Sequence, residues 1–222
     1  MVSVCCQRET IDLARAASPI ISVRCHHMEE YAKDRAKKFV DLETVVLGMC
    51  LGITPIVIYQ SALALPVSAI LTILASLAIS DNWWTDSTML IKYPPKKLIT
   101  LYYNFAYLTG FILLFVWILE SGKGELPLSG YALVLSVLAL MDSGWCCVLL
   151  HEYPNMKNIN KEDYVQTKVW ILVGPMASVM FLCGFLFIHT QTFDNLTTSL
   201  LILMLWVFRR IMDVLATHAF KS

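Results

Sequence analysis

The chain has 222 residues, of which 57% are hydrophobic and only 15% are charged. Soluble domains of this length carry roughly a quarter charged residues, so this composition argues against a soluble globular fold. The net charge is zero, which gives no basic surplus for a nucleic-acid partner. The sequence therefore predicts an integral membrane protein whose main surrounding is the lipid bilayer.

Six apolar segments predict six transmembrane helices, since a helix needs about 20 mainly apolar residues to cross a bilayer. The first apolar run, Leu42 to Ile79, is long enough for two helices and is broken near Tyr59, with Pro66 just beyond. We interpret this break as a tight hairpin. The predicted spans cover residues 42–60, 65–82, 98–119, 128–150, 168–189 and 196–216.

These spans predict an all-α, polytopic membrane helix bundle in which three helical hairpins are the plausible unit. Residues 1–41 form a cytosolic N-terminal segment that is at least partly helical, ahead of a transmembrane domain over residues 42–218. Residues 1–40 hold charges and no long apolar core, so we expect no cleavable signal peptide.

Lysines and arginines near the span ends predict the orientation. Seven lie between Arg8 and Lys38, and the loops after spans two and four hold three each, whereas the opposite turns hold only Lys123. Both termini are therefore expected in the cytosol.

The ends of spans two and four resemble each other. The order is aspartate, tryptophan, then Tyr-Pro, at Asp81, Trp84 and Tyr93 and again at Asp142, Trp145 and Tyr153. This order indicates either an internal repeat of helical hairpins or convergence, because aromatic residues favour the membrane interface and proline ends helices.

Charged residues inside the spans form a predicted layer. Asp81, Asp142, Arg209 and Arg210 each lie about 12–16 residues from the outer end of their spans, which at ~1.5 Å per residue is about 20 Å deep. Charge at this depth is costly and often functional. The layer is either an ion or proton path, or a charge cluster that locks the bundle or reaches the inner headgroups.

The length of span six leads to a specific prediction for one contact in this layer. Its apolar stretch from Leu196 to Phe208 covers only about 20 Å, so span six either ends early or carries Arg209 and Arg210 into the inner leaflet. At that depth the two arginines need an anion or a route to the headgroups. Asp81, Asp142 and Asp213 are the candidates. We expect Asp142 to pair with Arg209 or Arg210 and so join spans four and six.

The common sequence motifs of enzyme, metal and cofactor sites are absent, which argues against an enzyme without excluding one. Nucleophile, zinc-protease, phosphate-loop and dinucleotide motifs are absent. The seven cysteines are odd in number and lie mostly in the N-terminal tail or in apolar runs, which is unlike a secreted disulfide framework. His26 and His27 are adjacent and do not face the same way on a helix, which favours a solvated tail over a metal-binding pair. We expect no cofactor.

The entrance to span one resembles a known channel family. Arg35, Phe39 and Asp41 match the Arg-x-x-x-Phe-Ser-Asp signature of the transmembrane-protein-175 family of potassium channels, with Val40 in place of the serine. Trp84, a basic linker and Asn104 follow in the family's order, but Ser87 stands where the family has a histidine. The resemblance covers about the first 115 residues.

The resemblance implies a cation channel in which span one lines the pore. Leu47 and Ile53 would then form a hydrophobic constriction, and several copies would assemble around the pore. The candidate pore and gating residues are Arg35, Phe39, Asp41, Leu47, Ile53 and Asn104. In this interpretation Asp41→Asn is expected to disturb opening or assembly more than Glu43→Gln.

Three functional classes remain at the level of sequence. The first is an ion channel or pore-forming subunit, conducting a cation such as potassium and acting as a homo-oligomer. The second is a non-catalytic structural or assembly subunit with partners in a larger membrane complex. The third, a membrane enzyme or small transporter with its site in the charged layer, lacks a visible arrangement of acid, base and nucleophile.

Overall fold

The computed structural model describes residues 19–221, and over this range the chain is helical without strands. This confirms the predicted all-α class. Residues 1–18, which include Cys5 and Cys6 of the predicted N-terminal segment, lie outside the described residues. The helices are α1 (Pro19–Gln60), α2 (Leu65–Lys92), α3 (Leu98–Gly110), α4 (Ile112–Gly122), α5 (Gly130–Glu152), α6 (Met156–Ile159), α7 (Lys161–Thr190) and α8 (Asn195–Lys221).

Within the described residues, five helical segments are long and apolar enough to cross a membrane, so by length and composition the chain is an integral membrane protein. Helices α3 and α4 together form one of the five, with Phe111 between them. The predicted sixth span, α8, is long enough but holds Arg209, Arg210 and Asp213 in its second half. The five segments are Glu30–Gln60, Leu65–Lys92, Leu98–Gly122, Gly130–Glu152 and Lys161–Thr190.

The first hairpin forms where the sequence predicts it. Helix α1 ends at Gln60 and α2 begins at Leu65, with Pro66 in its first turn, where a missing N–H costs no hydrogen bond. Helix α1 begins at Pro19 and continues without a break past residue 41, so the described part of the N-terminal segment and the first span are one helix.

Helices α2 and α7 are each longer than predicted, and each has a local reason. Helix α2 continues ten residues past residue 82 to Lys92, because polar residues beyond Ile79 are buried between helices. Helix α7 begins at Lys161, not at residue 168, because the side chain of Asn160 accepts hydrogen bonds from the first-turn amides of Glu162 and Asp163 at 2.9 and 3.4 Å.

Small residues let α5 and α7 pack closely. A Cβ on Gly174 would lie 2.7 Å from Ser143 Cβ and 2.8 Å from the Ala139 carbonyl oxygen. Pro175 lacks an N–H, so the carbonyl of Ile171 loses its normal helical donor. Ser143 Oγ donates to that carbonyl at 3.1 Å. The hydroxyl group of Ser143 on α5 therefore supplies the donor that Pro175 removes from α7, which lipid could not supply.

Helices α2 and α5 end in the same way. Tyr93 and Tyr153 follow the two helices with φ/ψ of −127°/70° and −126°/67°. Each donates its backbone N–H to the carbonyl four residues earlier, and the two rings meet edge to face at 5.4 Å. The Tyr-Pro similarity seen in the sequence is therefore also a similarity of backbone geometry.

The contacts around these two ends are reciprocal. Lys92 at the end of α2 pairs at 3.2 Å with Asp163 at the start of α7. Glu152 at the end of α5 accepts hydrogen bonds near the start of α3, from Thr100 Oγ1 at 2.6 Å and from the Lys96 amide at 2.7 Å. The end of α2 therefore contacts the start of α7, which follows α5, and the end of α5 contacts the start of α3, which follows α2.

Candidate functional site: an acidic cleft and a polar interior

The predicted charge layer is assembled by α2, α5 and α8. Arg209 Nη2 lies 3.4 Å from Asp142 Oδ2, so the contact expected between spans four and six is confirmed. Arg210 Nη2 contacts Asp81 Oδ2 on α2. Asp213, one helical turn further, lies 3.9 Å from Arg209 Nε and 3.5 Å from Arg210 Nη1.

The two arginines reach different helices because neighbouring residues on a helix project about 100° apart. The pair between Arg209 and Asp142 is largely buried, with side chains 11% and 8% exposed, whereas the Asp81 side chain is 51% exposed. Arg210 also lies over the Trp206 ring, 5.1 Å from its centre. The charged half of α8 is thus held against the bundle by ion pairs.

A cleft of about 350 Å³ opens beside this layer, between α2, α5, α7 and α8. Its charged walls hold a formal surplus of two negative charges. The carboxylates are those of Asp81, Asp86, Asp142 and Asp213, and the guanidinium groups are those of Arg209 and Arg210. Such a surplus attracts cations, and low-dielectric walls strengthen the attraction.

Asp86 differs from the other acids of the cleft, and the sequence analysis missed it. The residue is only 4% exposed, and its Oδ2 has no hydrogen-bond partner among the described residues. A signal existed, because Ala78, Asn82 and Asp86 recur every four residues on the buried face of α2.

A second missed acid, Glu43, lies buried in α1 at 1% exposure. Asn104 Nδ2 of α3 donates to Glu43 Oε1 at 2.7 Å, while Glu43 Oε2 and Asn104 Oδ1 have no hydrogen-bond partner within residues 19–221. On α3, Tyr107 donates to Asn82 Oδ1 at 2.6 Å. These contacts form a polar interior that links α1, α3 and α2, and Asn82 also lines the cleft.

The candidates of the N-terminal signature lie in several places. Arg35 donates to the Pro95 carbonyl at 3.1 Å and so ties α1 to the α2–α3 connection. Phe39 packs edge to face on Phe105 at 5.8 Å. Asp41 is exposed. Arg35 and Phe39 therefore make contacts near the entrance to the first span, and none of the three residues lines the cleft.

The two residues that were expected to form a pore constriction pack inside this chain. Leu47 is 9% exposed and belongs to the apolar core, and Ile53 packs half-buried against the same core. Of the pore candidates, only Asn104 joins the polar interior, through its hydrogen bond to Glu43.

Among the described residues, no group of three or more histidine, cysteine, aspartate or glutamate side chains is arranged to hold a metal ion. Comparison with protein-family models, with curated proteins and with solved structures finds no match to this chain.

Proposed function

We propose that the chain conducts cations across a membrane, as a channel or pore-forming subunit that acts as an oligomer. The supporting observation is the buried carboxylate of Asp86 in the wall of a cleft with surplus negative charge. Ionisable groups within membrane helices usually mark ion or proton pathways, because burying them there is costly.

The proposed route begins at the cleft, where the surplus negative charge concentrates cations. It continues past Asp86 towards the polar groups of Asn82, Tyr107 and Glu43. This differs from the route along α1 that the potassium-channel resemblance implies, since Leu47 packs into the chain's own core. Because basic residues favour the cytosolic side, we place the mouth of the cleft there.

The oligomer is the second part of the proposal. The resemblance implies several copies around a pore, and α1 has an exposed apolar face that lipid or another copy can cover. Exposed side chains of this face include Val45, Met49 and Ile56.

Ion flux into liposomes that contain only the purified protein tests the proposal. We expect potassium or another monovalent cation to enter, and Asp86→Asn to reduce the flux by about tenfold, the effect of roughly 1.4 kcal/mol. The matched control is Glu125→Gln, which removes an exposed acid from the α4–α5 turn outside the cleft. Folded protein that passes no monovalent cation would overturn the proposal.

A structural or assembly subunit is the second candidate, and one observation favours it. The arginines of α8 are already paired with acids of α2 and α5, as expected of a charge cluster that locks a bundle. Liposomes without flux, together with a membrane partner that co-purifies in stable stoichiometry, would support this candidate over the first.

A further inference from the structure

The cleft has the size of a small-molecule site. Its volume of about 350 Å³ lies at the lower end of the range for ligand pockets, roughly 300–1,000 Å³. Its walls come from four helices, and its charged groups leave two negative charges in excess. A small ligand of positive charge fits both the volume and the charge.

Of the four acids that line the cleft, Asp86 is the one to which the described residues offer no arginine partner. The carboxylates of Asp81, Asp142 and Asp213 all lie within 4 Å of an arginine nitrogen. In the described part of the chain, Asp86 Oδ2 has no hydrogen-bond partner, although the residue is only 4% exposed. An unpaired buried acceptor is costly, and a donor from a ligand would relieve that cost.

The wall chemistry favours an organic cation over a bare metal ion. A metal ion stripped of water needs several ligands that converge on one point, and the described residues form no such group. An ammonium or guanidinium group needs only a carboxylate acceptor and can use further acceptors at longer range.

Two neighbours of the acids suit the remainder of such a ligand. Trp170 of α7 lines the cleft and offers an aromatic surface, and Val214 of α8 adds an apolar one. An aromatic face attracts an organic cation, and apolar side chains cover its methylene groups.

We propose that the cleft binds a small organic cation, a primary ammonium or guanidinium compound with a short apolar body, with Asp86 as its counter-charge. This assignment rests on the proposed function only in using the same cleft. Binding is measured without ion flux, so the two can fail separately.

The test is calorimetric titration of the purified full chain in detergent with n-butylammonium. The neutral n-butanol, with the same number of heavy atoms, and potassium chloride are titrated in parallel. We expect n-butylammonium to bind and to raise the melting temperature, while n-butanol shows no saturable binding and potassium does not displace the amine. Equal binding of amine and alcohol, or displacement by potassium at equal concentration, would overturn the proposal.

Variants locate the site. Asp86→Asn should weaken binding of n-butylammonium at least about tenfold, since the ammonium group then donates to a neutral amide oxygen and no longer to a charged carboxylate. Trp170→Leu leaves the charges in place and removes the aromatic face, so it should also weaken the binding of n-butylammonium. This variant takes the place of the first one if Asp86→Asn does not fold. Unchanged affinity in a folded variant of either kind contradicts the assignment. The control Glu125→Gln should bind like the original chain.

Discussion

Ser143 on α5 donates a hydrogen bond to the Ile171 carbonyl on α7, 3.1 Å away, which is the carbonyl that Pro175 deprives of its helical partner. Inside a bilayer no water can take this place. Ser143→Ala should therefore lower stability by about 0.6–2 kcal/mol, measured by thermal unfolding in detergent.

The same relationship supplies its own control. Pro175→Ala restores a backbone N–H for Ile171, so Ser143→Ala should cost much less in that background. If the loss is the same with and without Pro175, the serine does not act through this carbonyl.

The close approach of α5 and α7 predicts a strong effect at one glycine. Gly174→Ala places a methyl group 2.7 Å from Ser143 Cβ, so we expect destabilisation by about 1–3 kcal/mol. Gly48→Ala is the matched helical control, because nothing lies within 4 Å of its added Cβ. That control should be neutral or slightly stabilising, since alanine favours helix. Equal melting temperatures for the two variants would contradict the packing.

The buried ion pair of α8 predicts a charge-swap result. Asp142→Arg alone should cost about 3–5 kcal/mol, because it leaves like charges together in the interior. Asp142→Arg combined with Arg209→Asp should recover part of the loss. Thermal unfolding of the two single variants and of the double exchange measures this. A double variant no more stable than the worse single one would show that the pair contributes nothing.

Substitution of Glu43 should lower the stability more than substitution of Asp41, which is the opposite of the order of importance that the channel-family signature implies. Glu43→Ala removes the acceptor of Asn104 and should cost about 1–3 kcal/mol. Asp41→Ala removes an exposed acid and should leave the melting temperature nearly unchanged. If Asp41→Ala is the more damaging in detergent, the signature residue has a partner outside this chain.

The end of α2 predicts a dependence on alkaline pH. Burial, together with the hydrogen bond from Tyr93 to Asp163 at 2.9 Å, raises the pKa of Tyr93 to about 12, against about 10 in an unfolded chain. Its contribution to stability is therefore complete below pH ~10 and is lost as the pH rises towards about 12.

Tyr93→Phe should consequently be less stable than the original chain at pH 8, and the difference should shrink between pH ~10 and ~12. Melting temperatures across this range measure it. Tyr59→Phe, at an 81% exposed position, is the control and should matter little at pH 8. A difference that stays constant with pH would show that the hydroxyl does not titrate with folding.

The sequence predicted those features that depend on nearby residues. Hydropathy located the hairpin before Pro66, and the depth of Arg209 in a short apolar run indicated its pairing with Asp142. Both arguments need only the cost of burying charge and the rise of a helix. The hydropathy pattern placed the end of span two at residue 82, because hydropathy depends only on the local composition. It contains no information that other helices bury Asp86.

The polar interior was missed for a related reason. Glu43 follows Asp41 by two residues, and nothing in the local sequence states which of the two faces α3. Periodicity with Leu47, one turn later and buried, was the available signal. The family signature drew attention to Asp41 instead, although that residue is exposed.

The reciprocal contacts at the ends of α2 and α5 impose an order on assembly during synthesis. Lys92 and Asp163 are 71 positions apart, and Thr100 and Glu152 are 52 apart. If the helices enter the membrane in chain order, synthesis of the residues between Lys92 and the start of α7 takes on the order of several seconds. During this time Lys92 lacks its partner Asp163. A chain stopped after α5 would leave Lys92 and Tyr93 without their partner Asp163, so these contacts form only after α7 has been synthesised.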